Sequence, residues 1–394
     1  MRIGLLTYHH VVNIGSVLQT YCSYNLLTRL YPQSQVEVID HVPAVSESFK
    51  ARQRRTTKGS GLFAKQVENE FIRSERAYDR FLRERCAFGP SLPVGLGVDE
   101  LMQRIQASSY DMVVVGSDTV FQLDGYFGEP IADALPPNAY YLPGLSGPRK
   151  VGLAVSFDPY VGGSEERGRS GALRPHLLAF DRILYRDATA EGLLREVGYA
   201  PEHMAHVPDP TILMDITHLV PVSSRPSLKE QRPLAGVAVA DPKLYERVAA
   251  IVAGQGFEVI DYMHPPGAEV DLDNPAAVVG NALRGYQQLD LMVTDRFHGS
   301  ILTLQVSAAN LVGIENEDRY LLPNSKLRDL FERLGIGDHL IRCGSDGPDT
   351  VLLERLVATR SWTRAEMMRR MAALRASGFA SIAALLDSSD GPSA

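Results

Sequence analysis

The sequence contains few cysteines, only Cys22, Cys86 and Cys343 among its 394 residues. Their number is odd and no two form a Cys-x-x-Cys pair, so neither a disulfide framework nor a cysteine-ligated zinc site is predicted. A reducing, cytoplasmic location is expected instead. No apolar run approaches the roughly 18 residues of a membrane span. The first residues, "MRIGLLTYHH", lack the apolar region and cleavage site of a signal peptide and are typical of a strand.

The chain also lacks a surplus of positive charge and several familiar motifs. Its net charge of −7 argues against general nucleic-acid binding. The first strand is followed by neither a Gly-x-Gly-x-x-Gly motif nor a Walker lysine, which excludes ordinary dinucleotide and P-loop sites. No Gly-x-Ser-x-Gly elbow supports a serine hydrolase. "VDLDNP" (Val270–Pro275) is a weak metal signal in a polar loop, so no metal site is predicted.

What the sequence does contain is a repeated alternation of short apolar runs with helical patterns. "RIGLLTY" precedes a stretch in which Leu18, Cys22, Leu26 and Leu30 recur every four residues, as on one face of a helix. "VEVIDHV" (Val36–Val42) is the next predicted strand. This order predicts a parallel sheet with right-handed crossovers. The second half repeats the pattern, with predicted strands "LAGVAVA", "FEVIDYM", "LDLMVT" and "NLVGIE".

The length suits two domains of about 150–200 residues each. We therefore predict an α/β fold with two Rossmann-like doubly wound domains facing a cleft. The predicted boundaries are 1–195 for the first domain and 196–345 for the second, with a helical tail and a disordered end at 346–394.

A charged segment, residues 46–86, interrupts the first half of the chain. It is predicted to be a basic, mobile stretch followed by an exposed helix. Its most basic part, "KARQRRTTK" (Lys50–Lys58), fits a solvated run, an acceptor contact, or a contact with an anionic carrier lipid or membrane surface. The sequence leaves these three interpretations open.

Ligands of open parallel sheets lie beyond the carboxyl ends of the strands. After the first strand, Asn13 and Gly15 precede a helix whose free N–H groups could meet an anion or a sugar, although a plain turn with Ser16 as N-cap fits equally well. His9 and His10 are candidates to line the cleft, or are simply polar groups with partners.

Two further strand ends carry chemistry. "VVVGSD" places Ser117 and Asp118 after a buried strand, where Asp118 could act as a general base, orient a hydroxyl, or form part of a turn. "ILYRDATA" places Arg186 and Asp187 after another strand. Arg186 could clamp a carboxylate or phosphate, or could belong to a structural Arg–Asp pair, and Asp187 is a candidate helix cap.

The segment "VTDRFHGS" joins an apolar strand to an apolar helix. Arg296 offers a bidentate cation, and Gly299 leaves room near the backbone. His298 is expected at a helix N-terminus, whose dipole disfavours imidazolium, whereas a dianionic ligand would favour it. Together, these two opposing effects could keep the histidine ready to donate a proton near neutral pH. The alternative is a structural His with Arg at the surface.

Seven segments, taken together and in order, resemble the polysaccharide pyruvyl transferase family. The resemblance implies a fold like that of GT-B glycosyltransferases, phosphoenolpyruvate as donor, and a pair of sugar hydroxyls as acceptor. It implies a pyruvate ketal and phosphate as products. The matching segments are "YHHVVNIGSVLQTYCSYNLL", "YDMVVVGSDTVFQ", "KVGLAVSFDP", "FDRILYRDATAEGLLREVG", "VPDPTILM", "LDLMVTDRFHGSILTLQVSAANLVGIE" and "NSKLRDLFERLGI".

Roles carried over from the resemblance fall on the strand ends. His298 is the expected acid, and Asp118, or a histidine near the first strand, is the expected base. Many relatives have "TDSFHG" where this chain has "TDRFHG", and both forms occur in the wider family. The expected donor-binding residues are Arg186 in the first domain and Arg296, Phe297, Gly299 and Ser300 in the second domain. The expected acceptor-binding residues, on the side of the first domain, are His9, His10, Asn13, Gly15 and Ser117.

The resemblance implies no cofactor beyond phosphoenolpyruvate as co-substrate. It implies a sugar, glycan or lipid-linked oligosaccharide as acceptor, in exopolysaccharide or cell-wall glycan biosynthesis. Peripheral membrane contact and a homo-oligomeric state stay open. The competing hypotheses are a glycosyltransferase that uses a nucleotide sugar, a diverged relative that tailors a small natural product, and a non-catalytic binding protein.

Overall fold

The structure is a computed structural model in which the chain divides into two compact units. Met1–Met214 and Ala376–Ala394 form the first unit, and Asp215–Arg375 form the second. For the helical residues 62–71, 166–170, 172 and 275–276 only the backbone is described. The described residues are 1–44, 46, 62–121, 137–157, 166–221, 232–263, 274–316, 325–344, 347–359 and 362–386.

The first unit contains a parallel sheet of six strands in the order β2-β1-β3-β4-β5-β6. Its strands are β1 (Arg2–Leu6), β2 (Gln35–Val38), β3 (Met112–Phe121), β4 (Arg149–Phe157), β5 (Arg182–Tyr185) and β6 (Met204–His206). Its helices are α1 (Ile14–Leu30), α2 (Leu62–Arg85), α3 (Val98–Ala107), α4 (Glu166–Leu177), α5 (Ala188–Glu196) and α6 (Pro210–Leu213).

The predicted apolar face of α1 lies in the core of this unit. Leu18, Cys22 and Leu26 are fully buried, whereas Leu30, the last residue of the helix, is half-buried. The four-residue periodicity is thus confirmed at its first three positions. The N-cap of α1, however, is Asn13 and not Ser16. The side chain of Asn13 accepts a hydrogen bond from the Gly15 amide at 2.7 Å, whereas Ser16 is buried inside the helix.

The helix in the charged segment is less exposed than predicted. Ala77, Phe81 and Leu82 of α2 are almost fully buried, and the Phe81 ring lies 5.6 Å from that of Tyr21 on α1. The prediction of an exposed helix was wrong because the apolar positions of α2 pack against α1. The basic stretch Lys50–Lys58 lies outside the described residues.

The second unit contains a parallel sheet of five strands in the order β11-β10-β9-β7-β8. Its strands are β7 (Leu234–Ala238), β8 (Glu258–Asp261), β9 (Leu291–Thr294), β10 (Asn310–Asn316) and β11 (Leu340–Cys343). Its helices are α7 (Pro242–Gly254), α8 (Pro275–Gln288), α9 (Phe297–Val306), α10 (Lys326–Arg333) and α11 (Thr350–Ala358), and α12 (Arg364–Leu386) begins in it.

Both sheets are doubly wound, as predicted. In each of them the chain places its second strand on one side of the first and its third strand on the other. The crevice between the first and third strands is where such sheets bind ligands. In the first unit it lies between β1 and β3, and in the second between β7 and β9.

The units divide differently from the predicted domains. Residues 196–214 belong to the first unit because β6 pairs with β5 and because Gln19 of α1 donates a hydrogen bond to Asp209. The tail is helical as predicted, but α11 packs its Leu353 into the core of the second unit, and residues from Ala376 onward count with the first. Residues 387–394, which include the predicted disordered end "SSDGPSA", lie outside the described part. No helix in the described ranges could span a membrane.

Candidate functional site

Two histidines follow β1, at one side of the crevice in the first unit. His9 is buried, with Nε2 lying 3.2 Å from Asp40 Oδ1 and Nδ1 lying 3.3 Å from the Thr7 carbonyl oxygen. Asp40, which follows β2, also accepts from Arg83 Nη2 at 3.1 Å. Burial raises the pKa of Asp40, but the bonds from His9 and Arg83 outweigh it and hold the pKa below its usual value.

His9 and His10 line a cavity of about 430 Å³. Much of its wall comes from α2, the helix of the charged segment to which the sequence patterns gave no role. Burial, with the nearby His9, lowers the pKa of the adjacent His41 to about 4, so that this imidazole is neutral at pH 7. The remaining lining residues are Val11, Val12, Asp40, Val42, Ile72, Glu75, Arg76, Tyr78, Asp79 and Arg83.

Ser117 and Asp118 lie within β3, not after it as predicted. The strand continues to Phe121, with a shift in its pairing to β4 after Asp118. Just before them, Gly116 has a φ of +132°, and a Cβ there would lie 2.1 Å from the Leu153 carbonyl oxygen. Only glycine fits this position, so Gly116 determines how the next two side chains are presented.

Ser117 and Asp118 differ in their surroundings. The Ser117 hydroxyl is buried, and no residue of the described ranges hydrogen-bonds to it. Asp118 has a φ of +82°, an uncommon conformation for a residue with a side chain. Its Oδ1 accepts from the Thr119 amide at 2.9 Å and from Arg186 Nη2 at 3.1 Å.

Arg186, directly after β5, is buried among three carboxylates. Its Nη1 donates to Asp209 Oδ2 at 2.7 Å, its Nη2 to Asp118, and its Nε lies 4.0 Å from Asp187 Oδ2. Burial lowers the pKa of Arg186, but the three carboxylates outweigh that effect and raise it above the usual value. The guanidinium charge is thus already balanced within the first unit.

Asp187 and Asp209 show why these ions assemble. Asp187 caps α5, as predicted, by accepting from the Ala190 amide at 2.9 Å, and it also accepts from the Ser156 hydroxyl. Asp209 caps α6 through the Thr211 amide at 2.9 Å and accepts from Gln19 Nε2 at 2.7 Å. The sequence patterns did not single out Asp209, although an Asp between two prolines directly after a strand could have indicated a cap.

In the second unit, Asp295 and Arg296 follow β9 at the crevice between β9 and β7. Asp295 is buried and its Oδ2 accepts from the Ala240 amide at 2.9 Å, which ties the two strand ends together. Its Oδ1 lies 3.0 Å from Arg296 Nε, while the Arg296 side chain remains 35% exposed. The guanidinium is therefore held in place and still reaches solvent. Asp295 was another residue that the sequence patterns did not single out.

Phe297 and His298 are the first two residues of α9, which confirms the predicted helix N-terminus. Their rings meet edge to face with centroids 5.4 Å apart. Phe297 is buried and His298 is half-buried, with the Nε2 atom of its imidazole itself buried.

Gly299 and Ser300 serve packing in this structure. A Cβ at Gly299 would lie 3.2 Å from Thr294 Oγ1 and 3.3 Å from Arg296 Cβ, so strand-end side chains occupy the space beside it. Ser300 is fully buried and its hydroxyl donates to the Arg296 carbonyl oxygen at 3.2 Å. Donor binding by these two residues stays a prediction.

The predicted residues therefore form four groups. Ser117 and Asp118 of β3 lie beside Arg186, which follows β5, and His9 and His10 lie at the cavity. Asn13 caps α1 beside Gly15. Arg296 to Ser300 form one turn in the second unit. No cluster of three or more metal-ligating side chains occurs among the described residues, and Val270–Asp273 of the weak metal motif lies outside them.

A family model described as polysaccharide pyruvyl transferase matches residues 13–308 of the chain. No curated protein sequence matches it. Among solved structures, a candidate UDP-N-acetylglucosamine 2-epimerase from Listeria monocytogenes is 12% identical, with a TM-score of 0.51 over 99% of this chain and 98% of that one. This likeness confirms the GT-B-like class of two doubly wound α/β domains.

Two further solved structures are less similar. A co-structure of S. aureus MnaA with UDP is 11% identical, with a TM-score of 0.48 over 96% of this chain and 93% of that one. The glycosyltransferase SnogD from Streptomyces nogalater is 15% identical, with a TM-score of 0.36 over 96% of this chain and 99% of that one.

Proposed function

Because the chain belongs to the polysaccharide pyruvyl transferase family, we propose that it moves the enolpyruvyl group of phosphoenolpyruvate onto the hydroxyls of a sugar or glycan. The products are a pyruvate ketal and phosphate. The observation that supports this proposal best is the turn after β9, where Arg296 and His298 lie two residues apart at the crevice. Asp295 Oδ1 lies 3.0 Å from Arg296 Nε and so orients the arginine.

Arg296 is the proposed clamp for the donor. Phosphoenolpyruvate carries a carboxylate and a phosphate, both of which suit the planar, two-pronged guanidinium. Because Asp295 already restricts the Arg296 side chain, Arg296 loses less conformational entropy when it binds the donor. This favours a single orientation of the bound donor. Arg186 is the second proposed donor arginine, but its three carboxylates reduce the net charge that it offers an anion.

His298 is the proposed acid. Its proton adds to the methylene carbon of phosphoenolpyruvate, which becomes a methyl group, and C2 becomes electrophilic. The first sugar hydroxyl then forms a C–O bond to C2 and loses its proton. A second hydroxyl forms the other C–O bond as the C2–O bond to phosphate breaks, and its proton leaves with phosphate or a base. Two hydroxyls and one donor thus give one ketal and one phosphate.

Asp118 is the proposed base for the attacking hydroxyl. Thr119 and Arg186 hold its Oδ1, so the carboxylate has a fixed direction. A base with a fixed direction loses less entropy in reaching the transition state. Ser117, with its buried hydroxyl, and the histidines after β1 are the proposed acceptor contacts.

The test follows phosphate release from phosphoenolpyruvate with a range of glycans. We expect His298→Ala and Arg296→Ala each to slow turnover by about 10²–10⁴-fold, the contribution of a positioned acid or clamp. His218→Ala, a change of an exposed histidine in the same unit, is the matched control and should leave turnover unchanged. Unchanged turnover in both site variants would overturn the proposal. Thermal stabilisation by UDP- or GDP-sugars but not by phosphoenolpyruvate would favour a glycosyltransferase instead.

A further inference from the structure

The cavity of about 430 Å³ in the first unit is built by three parts of the chain. His9 and His10 follow β1, Asp40 follows β2, and α2 supplies the remaining wall. The volume falls within the roughly 300–1,000 Å³ of small-ligand sites. The cavity lies at the carboxyl ends of β1 and β2, beside the crevice between β1 and β3 where such sheets bind ligands.

The charges that line this cavity do not suit a multiply charged anion. The cavity is lined by three carboxylates, those of Asp40, Glu75 and Asp79, and by two guanidinium groups, those of Arg76 and Arg83. Asp40 and Asp79 both accept from Arg83, at 3.1 and 3.0 Å, so the charge of this arginine is already offset. Among the described residues that line the cavity, phosphoenolpyruvate would meet no surplus of positive charge.

The same wall suits a ligand rich in hydroxyl groups. A hydroxyl both donates and accepts hydrogen bonds, and α2 presents carboxylate acceptors next to guanidinium donors. The Arg83 guanidinium also lies over the Phe88 ring, 4.6 Å from its centroid, and the His9 ring meets Phe88 edge to face at 5.5 Å. These contacts, with the ion pairs to Asp40 and Asp79, hold the polar atoms of the wall in place.

The cavity is also linked to the proposed base. Tyr8, between β1 and His9, donates through its hydroxyl to the Thr119 carbonyl oxygen at 3.1 Å. Thr119 is the residue whose amide binds Asp118. The Tyr8 ring meets the His10 ring edge to face, with centroids 6.0 Å apart, so Tyr8 contacts both the cavity side and the residue that holds Asp118 Oδ1.

We propose that this cavity binds an uncharged sugar unit of the acceptor, and that the carboxylates of α2 disfavour acidic sugars such as uronates. The proposal rests on the pyruvyl-transfer function and assigns acceptor selection to α2. Glu75 is the most informative residue to substitute, because the ion pairs of Arg83 are formed with Asp40 and Asp79 and do not involve Glu75.

The test compares binding of methyl glycosides of glucose and galactose with binding of the matching methyl uronides, in which a carboxylate replaces the C6 hydroxymethyl group. Binding is measured by ligand-observed NMR without phosphoenolpyruvate. The variant is Glu75→Gln. The matched control is Glu84→Gln on the same helix, because Glu84 pairs with Arg80 at 2.9 Å and does not line the cavity.

We expect the intact chain to prefer the neutral glycosides, and Glu75→Gln to shift the preference toward uronides by about fivefold, the effect of one charge at ~4 Å in water. Glu84→Gln should leave the ratio unchanged. A ratio of affinities is independent of the folded fraction, so loss of stability cannot imitate the shift. The proposal is overturned if no neutral glycoside binds, if Glu75→Gln leaves the ratio unchanged, or if both variants shift it equally.

The outcome separates this proposal from the proposed function. If the ratio shifts as expected but no glycoside stimulates phosphate release from phosphoenolpyruvate, the sugar site stands and pyruvyl transfer fails. If phosphate release is stimulated but the ratio does not shift, pyruvyl transfer stands and the assignment of acceptor selection to α2 fails.

Discussion

At the residue scale, the arrangement around Arg186 is a buried ion cluster. One guanidinium lies within 2.7–4.0 Å of the carboxylates of Asp209, Asp118 and Asp187. Burying these charges is tolerable because each has a partner of opposite charge, and because helix amides and Gln19 donate further hydrogen bonds to Asp187 and Asp209. Removing the one cation leaves buried carboxylates uncompensated.

We therefore expect Arg186→Met to lower the free energy of unfolding by about 3–5 kcal/mol, the usual result of breaking a buried pair. Arg195→Met is the matched control, since Arg195 pairs with Glu191 at the surface and its side chain is 57% exposed. That change should alter stability by no more than about 0.5 kcal/mol. Urea unfolding followed by circular dichroism measures both. Equal effects of the two changes would contradict the cluster's structural role.

The cluster also shows how far residues can be predicted from sequence. Arg186 and Asp118 were predicted as site residues, and Asp187 as a helix cap, because each follows an apolar run that forms a strand. The partners Asp209 and Gln19 were not predicted, because they lie 190 positions apart in the sequence and come together only in the folded chain. Local patterns identify strand ends, whereas the partners of a buried charge depend on tertiary packing.

At the element scale, β3 contains a glycine at a position that no other residue fits. Gly116 combines a φ of +132° with a close approach to the Leu153 carbonyl of β4. The next residues on β3 are Ser117 and Asp118, so the conformation of one glycine controls where these two polar side chains lie. The strand itself was predicted from its apolar run, but its continuation to Phe121 was not, because Gly-Ser-Asp is typical of a turn.

Gly116→Ala should destabilise the protein by about 3 kcal/mol or more, since both the backbone conformation and the space disfavour a Cβ. Gly192→Ala provides the contrast. Gly192 lies inside α5, and apart from the backbone of its own helix no described atom lies within 4 Å of an added Cβ, so this change should stabilise by about 0.5–1 kcal/mol. Thermal unfolding of both variants decides the point. A neutral Gly116→Ala would contradict the described conformation.

A second element-scale feature ties β10 to β11 and α10. Buried Glu315 of β10 accepts from Arg342 of β11 at 3.0 Å and from Arg328 of α10. Burial raises the pKa of Glu315, but the hydrogen bonds from Arg328 and Ser325, together with the charges of Arg328 and Arg342, outweigh it and hold the pKa below its ordinary value of 4.5. A lowered pKa means that the stabilisation is present above that ordinary value and is lost as the pH falls through the value in the folded protein.

The second unit should therefore lose stability on acidification below about pH 4.5, and Glu315→Gln should lose less over the same range. The measurement is urea unfolding at neutral and acidic pH, followed by fluorescence of Trp362, the single and buried tryptophan, which lies in this unit. The same pH dependence in Glu315→Gln and in the unaltered chain would rule out this contribution.

At the scale of the whole molecule, the two doubly wound units could be predicted because alternating apolar runs and helical patterns are local signals. The boundary between the units could not be predicted from local signals, since it depends on the pairing of β6 with β5 and on the packing of α6 against α1. The cavity wall on α2 was also missed. A segment that is mostly charged is typical of a solvated helix, and only the packed structure shows that Phe81 and Leu82 turn inward while Glu75 and Asp79 line a cavity.

The central claim is that phosphoenolpyruvate is the donor and becomes a ketal. The most direct measurement is carbon-13 NMR of the protein incubated in D₂O with phosphoenolpyruvate labelled at its methylene carbon and with the neutral glycosides. We expect a new methyl signal that carries one deuterium, attached to a ketal carbon, to grow together with phosphate, and to be absent with His298→Ala. Phosphoenolpyruvate that remains unchanged with every glycoside, while a nucleotide sugar is consumed, would contradict the claim.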